Sequence, residues 1–218
     1  MRFTKLSPIA LATTLALGGL AAIPVTANAE LGYNASVASM YLWRGQDVSN
    51  GPAVSGGIDY SHESGLYVST WVSSGVAASS GSNGGGYEYD IWAGYAGEVS
   101  GLGYDISYWA IEYPQETNAL DVINETALGL TYSMFSLGYI DGDGYSYTTL
   151  GASYDAFSVK YGIASNDTAG DYTHLDLSYA ATDALSFTVS YNINNDDGVL
   201  TAPKSLFMVA YSLPIDIK

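Results

Sequence analysis

Three groups of residues have types and spacing suited to chemistry. His174 and Asp176 stand two apart. On a strand that spacing puts both on one face, and a histidine oriented by a carboxylate is the base half of a serine-nucleophile site. Asp141, Gly142, Asp143 and Gly144 set two carboxylates in a glycine-rich stretch, and carboxylate oxygens are ligands that calcium takes. Arg44 follows Trp43 in the run YLWRG, in a chain with 22 Asp and Glu against six Lys and Arg. A guanidinium among many carboxylates has two uses. It shapes the field of an ion path, or it forks onto a carboxylate and pins two elements together.

The surrounding sequence narrows these readings. No G-x-S-x-G elbow accompanies His174 and Asp176. They are expected as inward polar residues, and the chain is expected to be no enzyme, with no catalytic, cofactor-binding or metal-ligating residue. The D-G-D-G run lacks the glutamate that closes a calcium loop, and a D-G hairpin turn explains it. His62 falls in a predicted turn and is expected to be solvated. For Arg44 the structural use is favoured, because charges inside polar barrels are commonly paired.

The elements that position these residues are strands. Beyond residue 30 no long segment has a 3.6-residue apolar period, whereas period-2 alternation recurs. Leu185, Phe187, Val189, Tyr191 and Ile193 alternate with Ser186, Thr188, Ser190 and Asn192. The same rhythm places strands near 32–44, 52–61, 66–74, 87–97, 102–113, 125–132, 135–141, 145–154, 157–164, 172–180, 185–193 and 204–213. Long and short connections mostly alternate. The stretches 75–86 and 114–124 are long, while Ser133-Met134 and Asp155-Ala156 are minimal. That asymmetry belongs to outer-membrane barrels, with tight periplasmic turns and larger external loops. The predicted fold is all-β: an antiparallel up-and-down transmembrane barrel of about twelve strands. A secreted soluble β-sandwich is the competing architecture.

Composition agrees with a membrane barrel. Tyr occurs 20 times and Gly 25 times, while charged residues make up only 13%. Aromatics cluster at two levels. Tyr60, Tyr95, Tyr104, Tyr132, Phe135, Tyr154, Phe157, Tyr179 and Phe187 lie near the tight turns, and Trp43, Tyr87, Tyr89, Tyr108, Tyr139, Tyr161, Tyr172 and Tyr191 near the long loops. Two such girdles are expected where amphipathic rings meet lipid headgroups. The net charge of −16 argues against nucleic acid and against a polybasic grip on anionic lipid. The chain has no cysteine, so no disulfide frame supports it.

A leader sets the compartment. Arg2 and Lys5 precede an apolar stretch over 9–23, shorter than the roughly 20 residues a spanning helix needs. Ala27, Asn28 and Ala29 form an A-x-A cleavage site before Glu30. Residues 1–29 are therefore read as a signal peptide and 30–218 as one barrel domain, exported to the outer membrane of a Gram-negative bacterium.

Alternation also assigns faces. With Tyr33, Val37, Tyr41 and Trp43 toward lipid, Arg44 points into the lumen at the outer mouth. The same rule sends Asp59, Glu88, Asp90, Asp105, Lys160, His174 and Asp176 inward. Small residues follow them: Ser55, Gly57, Gly94, Gly103, Ser107, Gly129, Gly138 and Gly162. Those either leave a water-filled path or fit around bulky inward side chains and close it.

One opening motif resembles a family. Tyr41-Leu42-Trp43-Arg44-Gly45, then Gly51-Pro52-Ala53-Val54, Gly57-Ile58-Asp59-Tyr60 and Ser64-Gly65-Leu66-Tyr67 with Trp71, is similar to the start of the TorF-type porins of Gram-negative bacteria. The resemblance implies an outer-membrane barrel. Many outer-membrane strands end in an aromatic that the barrel-assembly machinery reads, and here that signal is expected to end at Tyr211. The expected function is a channel for small solutes with a modest preference for cations, in contact with outer-membrane lipid. A non-conducting structural or surface-interaction barrel is the alternative. The oligomeric state is left open.

Overall fold

The computed structural model of the protein describes residues 29–49, 51–76, 86–114, 123–167, 170–195 and 204–215. Fourteen strands follow in chain order: β1 (Glu30–Ala38), β2 (Leu42–Trp43), β3 (Gln46–Asp47), β4 (Ala53–Ser61), β5 (Leu66–Val76), β6 (Gly86–Val99), β7 (Leu102–Glu112), β8 (Ile123–Tyr132), β9 (Phe135–Gly142), β10 (Tyr145–Tyr154), β11 (Phe157–Asn166), β12 (Tyr172–Ala180), β13 (Leu185–Asn195) and β14 (Ser205–Ser212). All but β2 and β3 form one closed antiparallel barrel in which each strand pairs with its neighbours in sequence. The twelve-strand up-and-down barrel read from the alternation is the fold observed.

Closure is uneven around the wall. β1 pairs with β4 along its whole length, from Glu30 opposite Ser61 to Ala38 opposite Ala53. Against β14 its ladder is short: Ser36 faces Ser212, Val37 faces Tyr211 and Ala38 faces Ala210. Backbone bonds from Ser39 N to Val209 O (2.8 Å) and from Leu213 N to Ala35 O (2.9 Å) extend this seam at both ends.

The two faces of the wall differ as a membrane barrel requires. Leu31, Val54, Ile58, Ile91, Ile106, Leu150, Leu177 and Phe207 are exposed on the outside. A continuous apolar exterior of this extent is a lipid-facing surface, since a soluble chain leaves few such patches bare. Tyr60, Tyr95, Tyr132, Phe135, Tyr154, Phe157 and Tyr179 are exposed near the short-turn end, and Tyr87, Tyr89, Tyr108, Tyr139 and Tyr191 near the other. Inside, Ser69, Ser107, Ser186, Thr188, Ser190 and Asn192 are buried.

The turns at the short end are built by backbone chemistry. Ser100, Ser133 and Asp155 all take positive φ (52, 57 and 53°), and Gly101 follows Ser100 at 82°. Tight hairpins need left-handed residues because their twist then matches that of the strands. At the opposite end Gly144 (φ 74°) closes the D-G turn between β9 and β10.

The structure corrects the reading of 32–44 as one wall strand. β1 stops at Ala38, and the chain then turns inward and folds into the small hairpin of β2 and β3. Arg44 (φ 49°) and Gly45 (φ 80°) form its two-residue turn, both left-handed as a type I′ turn demands. Tyr41 and Trp43 therefore do not face lipid. Tyr41 is buried, and Trp43 packs beside it against the inner aromatic cluster. Tyr172, read as part of the outer girdle, is also inside and buried. Its parity with His174 and Asp176 on β12 requires this. Several spanning strands are longer than read, up to 14 residues in β6.

Candidate functional site

The inserted hairpin meets three parts of the inner wall. Leu42 packs on Leu206, Met208 and Ala210 of β14. On the side of β5 to β7 it meets rings. Tyr41 stands edge-on to Trp71 with centroids 5.4 Å apart. In the same cluster Trp92 and Trp109 stack at 4.1 Å. The Tyr41 hydroxyl donates to Glu88 Oε1 at 2.8 Å.

On the side of β8 to β12 the hairpin meets charge. Arg44 Nη2 donates to both oxygens of Glu125, at 2.6 and 2.7 Å. Tyr145 donates to the same carboxylate at 2.6 Å. The guanidinium lies 4.2 Å from the Trp43 ring centroid, 5.1 Å from Tyr147 and 5.8 Å from Tyr145, within the range of cation–π attraction. Arg44 is 4% exposed and Glu125 3%, so the pair is out of water. Burial opposes the charge of Arg44, but the Glu125 carboxylate and its hydrogen bonds outweigh that, so the guanidinium's pKa is raised above its ordinary value. Tyr172 secures the turn, donating to the Arg44 carbonyl at 3.0 Å and accepting from Gln46 Nε2 at 2.7 Å.

Beneath the turn lies a second polar set. His174 Nδ1 is 2.9 Å from Asp176 Oδ1, and His174 Nε2 is 2.8 Å from the Tyr147 hydroxyl. Lys160 pairs with Asp176 Oδ2 at 3.1 Å. His174 has no solvent exposure. Its ring is enclosed by glycines: a Cβ on Gly162 or on Gly45 would overlap it. Chemically this is a base with its orienting carboxylate, and a phenol takes the place where a serine would complete a nucleophilic triad.

The inward glycines thus act as seats. Tyr67 of β5 lies flat over Gly94 of β6 and reaches Asp105 of β7, donating at 2.8 and 3.0 Å to its oxygens. His174 crosses Gly162 toward Tyr147 in the same way. Of the two roles open to the small residues, fitting around bulky side chains is the one observed at Gly94 and Gly162.

Glu88, Asp90, Asp105, His174 and Asp176 are buried, and Asp59 and Lys160 are half-buried. Lys160, His174 and Asp176 come together, and Glu88 and Asp90 share the Tyr41 side. Asp105 stands apart with Tyr67, and Asp59 accepts from Asn34 Nδ2 at 3.1 Å near the short-turn end. Arg44 reaches the lumen from the hairpin, not from a wall strand. Glu125 was missed, although it shares the parity of Gly129, which alternation had already turned inward. Glu30 opens β1, and Ala29 is exposed just before it. Ala27 and the rest of the leader lie outside the described residues, as do 77–85 and 115–122 within the two long loops.

Residues 21–201 match a family described as bacterial protein of unknown function, Gcw_chp. The chain belongs to the Gcw_chp family. None of the curated proteins matches it. Two solved structures resemble this Gcw_chp barrel. One is the outer membrane phospholipase A from Escherichia coli, 12% identical, covering 88% of this chain and 98% of that one, with a TM-score of 0.46. The other is the Salmonella typhi outer membrane phospholipase, a dimer with bound calcium. It is 11% identical, with coverage of 95% and 98% and a TM-score of 0.48. At these identities the likeness transfers no activity. It does correct one expectation. Both neighbours are phospholipases, so a barrel of this kind does not exclude an enzyme, and that exclusion does not stand.

Proposed function

We propose that the protein is an outer-membrane channel of narrow bore for small solutes, closed in this state by its own first external segment. The observation that carries this is the hairpin itself. It belongs to a connection, yet it occupies the lumen and is held there by side chains of the wall. The acidic lining supports a modest preference for cations once the path opens, since Asp59, Glu88, Asp90, Asp105, Glu125 and Asp176 outnumber Arg44 and Lys160, the inward Lys and Arg side chains among the described residues. The resemblance of the opening motif to TorF-type porins supports the same reading. Export by a signal peptide cleaved before Glu30, and insertion into outer-membrane lipid by the barrel-assembly machinery, complete it.

A non-conducting barrel is the second reading. The packing of Tyr67, Trp71 and Trp92 favours it, because these wall side chains fill the interior beside the hairpin and would remain there without it. Conductance of the refolded protein in a planar bilayer separates the two. The channel reading expects little current from the wild type and a clear rise in Arg44→Ala and Glu125→Gln. If all three are silent while folded, the lumen is permanently filled and the barrel is a structural one.

A further inference from the structure

The place that holds Arg44 has a wall half and a hairpin half. Trp43 belongs to the hairpin and moves with it. Glu125, Tyr145 and Tyr147 belong to β8 and β10 and stay in the wall. We propose that this wall half is a binding site for small organic cations bearing a guanidinium group, and that Arg44 is its tethered occupant. The proposal rests on reading the hairpin as a removable plug, and it names the ligand class of that plug's seat.

Three observations carry it. A single nitrogen, Nη2, spans both Glu125 oxygens at 2.6 and 2.7 Å, so what the carboxylate holds is the cationic N–H head, not the backbone behind it. The two tyrosine rings stand 5.1 and 5.8 Å from the guanidinium carbon and provide faces for a planar cation. Arg44 Nε is buried without a hydrogen-bond partner, so the tethered occupant leaves one donor unsatisfied that a free guanidinium can turn elsewhere. A buried ion pair with an orphaned donor is a poor stabiliser compared with apolar packing of the same volume.

The donor set of the seat suits an organic cation better than calcium. One carboxylate and two phenol rings fall short of the six to eight oxygens calcium takes, and among the described residues no three His, Asp or Glu side chains gather for a metal. In the wild type the tether keeps the local concentration of Arg44 high, so a free ligand competes poorly.

The test removes the tethered head. Arg44→Ala is refolded in detergent and melted with methylguanidinium or tetramethylammonium, which has the charge without N–H donors. Methylguanidinium at tenfold its dissociation constant should raise the melting temperature by about 3 °C. Tetramethylammonium should not, and Arg44→Ala/Glu125→Gln should show no shift with either. Should Arg44→Ala fail to fold alone, the same comparison is read as yield of the compact, heat-modifiable form. Equal effects of the two cations, no effect of either, or a shift that survives Glu125→Gln overturns the site. The readout is independent of current: a silent barrel that binds methylguanidinium sinks only the channel, and a conducting barrel that ignores it sinks only the site.

Discussion

Along β5, β6 and β7 the hairpin meets rings, while along β8, β10 and β12 it meets a carboxylate, phenols and an imidazole. The first arc holds Tyr41 chiefly by ring packing, with Trp71 beside it and Trp92 and Trp109 stacked in the same cluster, and by one hydrogen bond to Glu88. Ring contacts of this kind are broad and tolerate small shifts. The second arc holds Arg44 at one carboxylate, with both oxygens engaged. Coulomb attraction in a water-poor lumen is strong at contact and is lost once water enters. The comparison teaches that one arc positions the hairpin and the other decides whether it stays.

The largest test of that division is Arg44→Ala. Leaving Glu125 buried and unpaired should cost about 3–5 kcal/mol in unfolding of the micelle-bound barrel. Adding Glu125→Gln should return most of the loss. If the double variant is as unstable as the single, charge is not what the second arc contributes. Next comes Leu42→Ala, which empties the contact with Leu206 and Met208. A loss of about 2–5 kcal/mol is expected, with ion selectivity unchanged. A larger cost than that of Arg44→Ala would reverse the ranking of shape and charge.

Tyr67→Phe should cost about 1–3 kcal/mol by removing the tyrosine donor from buried Asp105. The Tyr67 ring packs in the cluster of Tyr41, Trp71 and Trp92, and the variant keeps that ring, so tryptophan fluorescence should keep its native position. A red shift would mean that the inner wall and the hairpin are coupled. The smallest effect is expected from Asp59→Asn, which keeps the contact with Asn34. Stability should stay within about 0.5 kcal/mol, and the reversal potential in a salt gradient should move slightly toward anions. A shift as large as that of Glu125→Gln would place the narrowest point at the short-turn end.

The wall was legible because a sheet wetted on one face and greased on the other writes itself as alternation. Ser186, Thr188, Ser190 and Asn192 between apolar neighbours could lie in no other way. The hairpin was not legible for the same reason. Its own alternation, Tyr41 and Trp43 against Leu42 and Arg44, continues the rhythm of β1, and a two-strand hairpin has the same period as a wall. Only Arg44-Gly45 marks the reversal, and Arg is an uncommon partner for Gly in a type I′ turn. Glu125 was within reach of the parity rule. The partnership with Arg44 was not, because it joins residues 81 apart across a lumen that alternation does not describe.

That separation has a consequence in time. The hairpin is made early in the chain, yet the groups that receive it come late: Glu125 from β8, Tyr172 and His174 from β12, Leu206 and Met208 from β14. Local pairings form before distant ones because long loops are slow to close. Neighbouring strands can therefore zip in order, but the hairpin has no complete berth until β14 meets β1 across its three-pair seam. The final act of folding is then the docking of one of the first segments to be made. A barrel caught just before it would have a finished wall, an unfilled interior and a bare carboxylate at Glu125.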